Sequence, residues 1–297
     1  MIDRRSFTWM MAAGASFGWN ARCWAADNDK GLFWRLDVPG KGTAVVFGAW
    51  MIAGSVVPEI VRDGRVFVEL TQRTIGAYPD FTFPKVDLDR KNIKPLHTIV
   101  SRGLAEEVRV IVEAATGMSS GQFDTMPAAM IPMLLITEGQ TRMPPAVPVG
   151  LMIRAYAQQL QRPFSFLLSE SEVKAAMGPP DLAAAATAVN ESLIMYLIEL
   201  RRQRGPLGRY VERLYAGRDS EGLQSFNDGV HEHGQVMMGF SESAVLSLRK
   251  VILERMLQAI GSQPGMSFFN LELVSLTGAN GLFAALRRQG ATIRALA

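Results

Sequence analysis

The chain has one cysteine, Cys23, and three histidines among its 297 residues. One thiol cannot close an intramolecular disulfide, so cysteine frameworks and dithiol chemistry are excluded. Long apolar runs are also scarce: past the N-terminus no stretch reaches the about 20 apolar residues needed to span a bilayer. A dominant charge is missing as well. The formal net charge is +3, and Arg4, Arg5 and Arg22 against Asp3 place two of those three charges in the first 26 residues. What remains lacks the positive field of a nucleic-acid binder. The segment "GANG", Gly278 to Gly281, has neither the spacing of a dinucleotide fingerprint nor the Lys-Ser/Thr ending of a phosphate loop. Ser275, in "LVSLTG", has no Gly-x-Ser-x-Gly elbow around it.

What is present is ample for a packed core, with 48% hydrophobic residues and fifteen phenylalanines. Residues 1–25 read as an export signal: "MIDRRSF" gives a charged start, Ser6 to Ala21 an apolar run, and "ARCWAAD" small residues for cleavage after Ala25. Arg4 and Arg5 followed by Ser6 and Phe7 resemble a twin-arginine signal, with Thr8 and Trp9 where Leu and Lys are usual. Export implies a periplasmic or secreted protein, or alternatively one anchored by its N-terminus to the inner membrane. With Cys23 inside the signal, the mature chain has no thiol nucleophile.

Residues 26–297 are expected to form one α/β domain: a mixed central sheet flanked by helices, with strands at both chain ends and a mostly helical middle. Leu32 to Val38 and Thr43 to Phe47 read as a hairpin around "PGKG". The stretch from Thr43 to Leu70 then reads as strand, loop, a short helical turn at Pro58 to Arg62, a break at Asp63-Gly64, and a second strand, Val66 to Leu70, carrying Glu69. Helices are expected around Leu104 to Val112, from Met126 to Thr137, Leu151 to Gln161, Pro179 to Arg204, Leu207 to Ala216 and Ser241 to Ile260. Ile75 to Asn92 reads as a loop or an inserted strand pair, and Phe164 to Leu168 as a short strand. The basic "RRQR" ending at Arg204 suits the negative end of a helix dipole. A strand from Phe268 to Leu273, a helix within Gly278 to Gln289 and a strand from Thr292 to Leu296 repeat the opening plan.

The segments "LFWRL", "VVFGAWM" and "VFVEL", closed by "LTGANGLFAALRRQGATIRAL", resemble the TraB/GumN family over almost all of the mature chain. The resemblance implies a metal-dependent protease scaffold in which a Gly-x-x-His motif ends the first strand, a Glu lies on the next, and a second His precedes a two-glycine loop. Gly48 matches the first motif's glycine, and Met51 occupies its His position. Glu69 matches the strand acid, Gly278 and Gly281 the loop glycines, and Ser275 the second His position. An interior Gly-Leu-Asp of the family is here Gly150, Leu151 and Met152, a later acid position is Leu168, and an Arg-Asn pair is Arg249 and Lys250. Thioethers prefer soft ions and a neutral hydroxyl is a poor ligand, so Met51, Met152 and Ser275 do not rebuild a His/carboxylate shell.

The expectation is therefore an exported, catalytically degenerate metalloprotease-like domain without a cofactor, binding a peptide, a glycan or an envelope protein. Its vestigial pocket would hold Glu69, Arg249, Met51, Ser275 and Met152, with Gly48, Trp50, Gly278 and Gly281 lining a ligand and Glu69 paired to Arg249. The alternative is an active hydrolase with a divalent metal on a rearranged site of Glu69, His231 and His233. "NDGVHEHG" reads as a loop, and two histidines two apart share a face only in extended chain. His97 stands alone.

Overall fold

The computed structural model describes residues 30–50, 52–79, 94–126, 128–140, 147–178, 189–234, 242–262 and 264–296. The expected signal segment, Met51, most of the Ile75 to Asn92 segment and the alanine-rich start of the Pro179 to Arg204 helix lie outside them.

In chain order the elements are β1 (Phe33–Val38), β2 (Gly42–Ala49), α1 (Pro58–Leu70), β3 (Arg73–Gly76), α2 (Arg102–Thr116), α3 (Ser120–Asp124), α4 (Ile131–Ile136), α5 (Val149–Gln159), β4 (Phe164–Phe166) and α6 (Glu170–Met177). There follow α7 (Glu191–Arg204), α8 (Leu207–Ala216), α9 (Ser220–His233), α10 (Glu242–Ser262), β5 (Ser267–Glu272), α11 (Leu273–Leu276), α12 (Leu282–Arg288) and β6 (Thr292–Ala295). Single 3-10 turns occupy Leu96–Thr98, which carries the exposed His97, and Ala128–Met130.

The fold is α/β, with one mixed six-stranded sheet in the order β4-β3-β5-β2-β1-β6. β4, β3, β5 and β2 are parallel, while β1 pairs antiparallel with both β2 and β6. Ala44 to Gly48 are all buried, as expected for a central strand covered on both faces. Phe33 and Phe47 stack at 4.6 Å on one face, and Trp34, pointing the other way, meets Phe283 of α12 edge-on at 5.0 Å. The β1–β2 turn uses Gly40 at φ 69° and Gly42 at φ 142°, conformations that L side chains rarely adopt.

Two segments differ from the sequence-based reading, and for one reason. Val66 to Leu70 is not a strand: it is the last turn and a half of α1, whose buried Ile60, Val61, Gly64 and Val68 lie along one helical face while Val66 and Leu70 stay exposed. The "NDGVHEHG" segment is likewise helical, inside α9, whose Asp219 accepts a hydrogen bond from the Gly222 amide at 2.9 Å. In both places an Asp-Gly pair that reads as a chain break is a helix crossing. A Cβ on Gly64 would lie 2.8 Å from Ile153 Cγ1, and one on Gly229 would collide with the Tyr196 hydroxyl. Smaller differences are the start of α7 at Glu191, capped by Asn190, and the shortness of α4. Helices α3 and α6 were not expected.

The basic end of α7 does more than complement a dipole. Arg201 holds the buried Glu138 with two hydrogen bonds, 2.6 and 2.8 Å, and Arg202 reaches Glu107 of α2 at 2.6 Å. These ion pairs tie α7 to the segment after α4 and to α2.

Gly64→Ala tests the α1–α5 crossing. An exposed helical glycine gains up to about 1 kcal/mol on becoming alanine. Here the fully buried Ile153 has nowhere to move, so a net loss of about 1–3 kcal/mol is expected in chemical denaturation. Ile153→Val should recover part of that loss in the double variant, a coupling that a propensity effect alone would not produce.

Candidate functional site

The three central parallel strands end together. Register pairs Gly76 of β3 with Asn270 of β5, and Ala49 of β2 with Glu272 of β5. The chain leaves β3 toward β4 on one side and leaves β5 toward β6 on the other. Ligands of open α/β sheets lie in the crevice where strand connections diverge in this way.

Two polar side chains bridge that divergence. Tyr78, two residues past β3, donates its hydroxyl proton to Glu272 Oε1 at 2.6 Å. Asn270 shares a strand face with Glu272 two residues on, and donates through Nδ2 to the Gly150 carbonyl at 2.9 Å. This bond fixes the start of α5 over the strand ends, where a Cβ on Gly150 would sit tightly, 3.2 Å from the Asn270 amide and 3.3 Å from the Ala49 side chain. The loop after β2 is stitched to the same place by Gly54 N to Val147 O at 2.8 Å and Val149 N to Ile52 O at 3.1 Å. Gly48 is more closely confined, since a Cβ there would lie 2.6 Å from Leu273 Cδ1 and 3.0 Å from the Trp34 ring. Its carbonyl accepts a hydrogen bond at 3.3 Å from the fully buried Tyr215 of α8, which fixes the approach to Trp50.

Of the residues singled out in the sequence, Gly48, Trp50, Met152 and Ser275 all belong to elements meeting at these strand ends. Met152 lies three residues past the α5 start and packs its sulfur against Gly54. Ser275 is half-buried on α11, the single turn that leaves β5. Gly278 and Gly281 shape the next turn, Gly278 with φ +80° and Gly281 with no room for a Cβ above the Thr277 carbonyl. Thr277 in turn donates to Gln224 Oε1, and Gln224 to Asp228.

Glu69 is elsewhere. Helix α1 runs back toward the start of β3, and the neighbouring Gln72 amide bonds to the Met266 carbonyl just before β5. Glu69 therefore lies at the opposite end of the parallel strands, exposed, accepting from the Tyr156 hydroxyl. The strand that does follow the loop, β3, contains no acid. The expected Glu69–Arg249 pair does not form. Arg249 is buried and donates to the carbonyls of Val274 at 3.1 Å and Asn280 at 3.4 Å, clamping the segment that holds Ser275. Nor do Glu69, His231 and His233 converge: among the described residues no three His, Cys, Asp or Glu side chains are grouped to hold a metal. Two residues apart on α9, the histidines diverge by about 200°, and His233 bonds Ser192 instead, Nδ1 to Oγ at 3.0 Å.

The sequence reading passed over Tyr78, Asn270, Glu272 and Tyr215. Asn270 and Glu272 did leave a trace, as polar residues two apart in the otherwise apolar "FFNLELV". Tyr78 left none, because its partner is 194 residues away.

The chain matches no protein-family model, no curated protein and no solved structure. Among the described residues no helix is long and apolar enough to cross a membrane.

Burial, followed by the charge of Glu272 and the bond to it, holds the Tyr78 phenol well above the usual tyrosine range, and burial does the same to Tyr215. A raised folded-state pKa contributes stability that is complete below the unfolded value of about 10 and lost as pH rises above it. The denaturation midpoint should therefore fall above about pH 10, while tyrosinate absorbance of the folded chain stays short of all five tyrosines. Complete ionisation of the folded chain in the ordinary tyrosine range would contradict this placement.

Proposed function

We propose that this is an exported, TraB/GumN-like domain that binds a peptide, a glycan or a partner protein at the strand-end crevice without metal-dependent proteolysis. The observation that carries the reading is the make-up of the strand ends: a phenol, an amide and a carboxylate, tied to one another or to backbone, with Trp50 and Met152 on elements that meet there. Such groups orient a ligand through hydrogen bonds and apolar contact. At two of the positions where the resemblance calls for ligands, Met152 and Ser275, the chain presents a thioether and a hydroxyl, which hold a hard or borderline divalent ion poorly. Glu69, the one acid the resemblance retained, lies at the far end of the sheet and adds nothing to the crevice. The confined glycines and the Tyr215 bond support the same reading, since they preserve the shape of the crevice whatever chemistry its loops carry.

The chain from residue 26 onward contains two tryptophans, the fully buried Trp34 and the half-exposed Trp50. Trp50 is therefore a built-in reporter. Purified protein should contain no stoichiometric divalent metal and leave a mixed peptide library uncut, while a bound ligand shifts an emission component that Trp50→Phe removes. A stoichiometric metal accompanied by peptidase activity would overturn the proposal.

A further inference from the structure

A second concave surface lies away from the strand ends, along the exposed side of α7. It is a groove of about 560 Å³ whose lining includes Glu191, Met195, Tyr196, Glu199 and Leu200 of α7 and His233 of α9. Glu191, Met195 and Glu199 fall four apart and form one row along the helix. The two carboxylates are thus two turns apart, about 12 Å along the axis, with Met195 between them and 57% exposed.

The floor of the groove is fixed in place. Tyr196 lies flat against His233, ring centroids 4.7 Å apart and planes 21° from parallel, and its hydroxyl end is wedged against Gly229 of α9. His233 is held from its other side by Ser192 at 3.0 Å. A rigid aromatic pair of this kind presents a face to a cation at little entropic cost.

Charge around the floor is negative. Besides Glu191 and Glu199, the carboxylates of Glu232 and Asp228 act on Tyr196. The nearest cations of α7 are mostly committed to other elements: Arg201 is bonded to Glu138, and Arg202 to Glu107 at 2.6 Å with a longer, 3.5 Å pair to Glu199. Glu191 uses one oxygen for the Ser101 amide; Glu199 accepts from the Gln203 side chain through Oε1 and from Arg202 at 3.5 Å through Oε2, and since each carboxylate oxygen has two lone pairs both groups keep acceptor capacity toward the groove.

We infer that the α7 groove docks an extended peptide segment of a partner protein that carries a Lys or Arg at each end of a five-residue stretch and an apolar residue at its centre. In extended chain, residues four apart are separated by about 13 Å and point the same way. That spacing sets the two cations on Glu191 and Glu199 while the central side chain covers Met195 and Leu200. The groove is independent of the strand-end crevice, and its test does not depend on what that crevice binds.

The probe is acetyl-Lys-Ala-Leu-Ala-Lys-amide, titrated into the full chain and followed by calorimetry and by the NMR signals of the Tyr196 and His233 rings. Saturable one-to-one binding that moves both rings and weakens with added salt is expected. Glu191→Gln with Glu199→Gln keeps the size and hydrogen-bonding reach of both side chains and should weaken binding about ten-fold. The probe with Glu in place of Lys should not bind. The inference is overturned if no saturable binding occurs at millimolar peptide, if the Glu peptide binds equally well, or if the double variant binds as the parent does. Binding lost in Trp50→Phe but kept in the double variant would place the peptide at the strand ends and overturn it too.

Discussion

The fold depends on the insertion of β5 between β2 and β3. Residues 267–272 pair with 44–49 on one side and 73–76 on the other, so the sheet has a gap until the last part of the chain arrives. The aromatic core has the same dependence: Phe33 and Phe47 are followed across the sheet by Phe268, 6.4 Å from Phe47. Loop-closure entropy grows only slowly with loop length, but contacts this distant in sequence delay folding until that cost is met. β5 also brings Asn270 and Glu272, the two groups that tie the strand ends to α5 and to Tyr78. Sheet closure and assembly of the crevice are therefore the same event.

That dependence explains which features can be read from the sequence. The strands at both chain ends, the glycine-confined end of β2 and the α/β class follow from local pattern, because apolar runs bounded by turn residues determine them. Glu69 was misplaced because "VFVEL" has the composition of a strand and Asp63-Gly64 looks like a break. What overrides this is tertiary: Gly64 is there so that Ile153 can approach, and the helix continues through it. The same override operates at Gly229 beneath Tyr196. A glycine that admits a neighbour and a glycine that ends a helix look alike in one dimension, and only the partner separates them. The crevice was harder still to read, since Tyr78 and Glu272 acquire meaning only once β3 and β5 are adjacent.

Charge follows a similar logic. A sequence pI near 9.1 could be taken for a basic surface. Several arginines are committed to intramolecular ties instead: Arg201 and Arg202 hold α7, Arg218 reaches Asp63 of α1, Arg73 bonds the Ala259 carbonyl at 2.6 Å, and Arg249 clamps the α11–α12 turn. Guanidinium suits this work because its planar fork bonds two acceptors at once. With those arginines tied to other groups of the fold, local acidity can persist along α7 in a chain that is basic overall.

The strand ends hold their form through backbone packing and buried hydrogen bonds. Gly48, Gly150 and Gly281 are fixed by what crowds them, the Leu273 side chain, the Asn270 amide and the Thr277 carbonyl, rather than by any bound group. Tyr215 secures the Gly48 carbonyl from α8, and Arg249 secures the Ser275 segment from α10. None of these restraints uses a side chain that would have to hold a metal. Replacing a metal ligand in such a frame removes one interaction and leaves the geometry intact, whereas replacing one of the crowded glycines would displace two elements at once. A frame with that asymmetry keeps the crevice preorganised whatever its loops carry, and preorganisation is what binding requires.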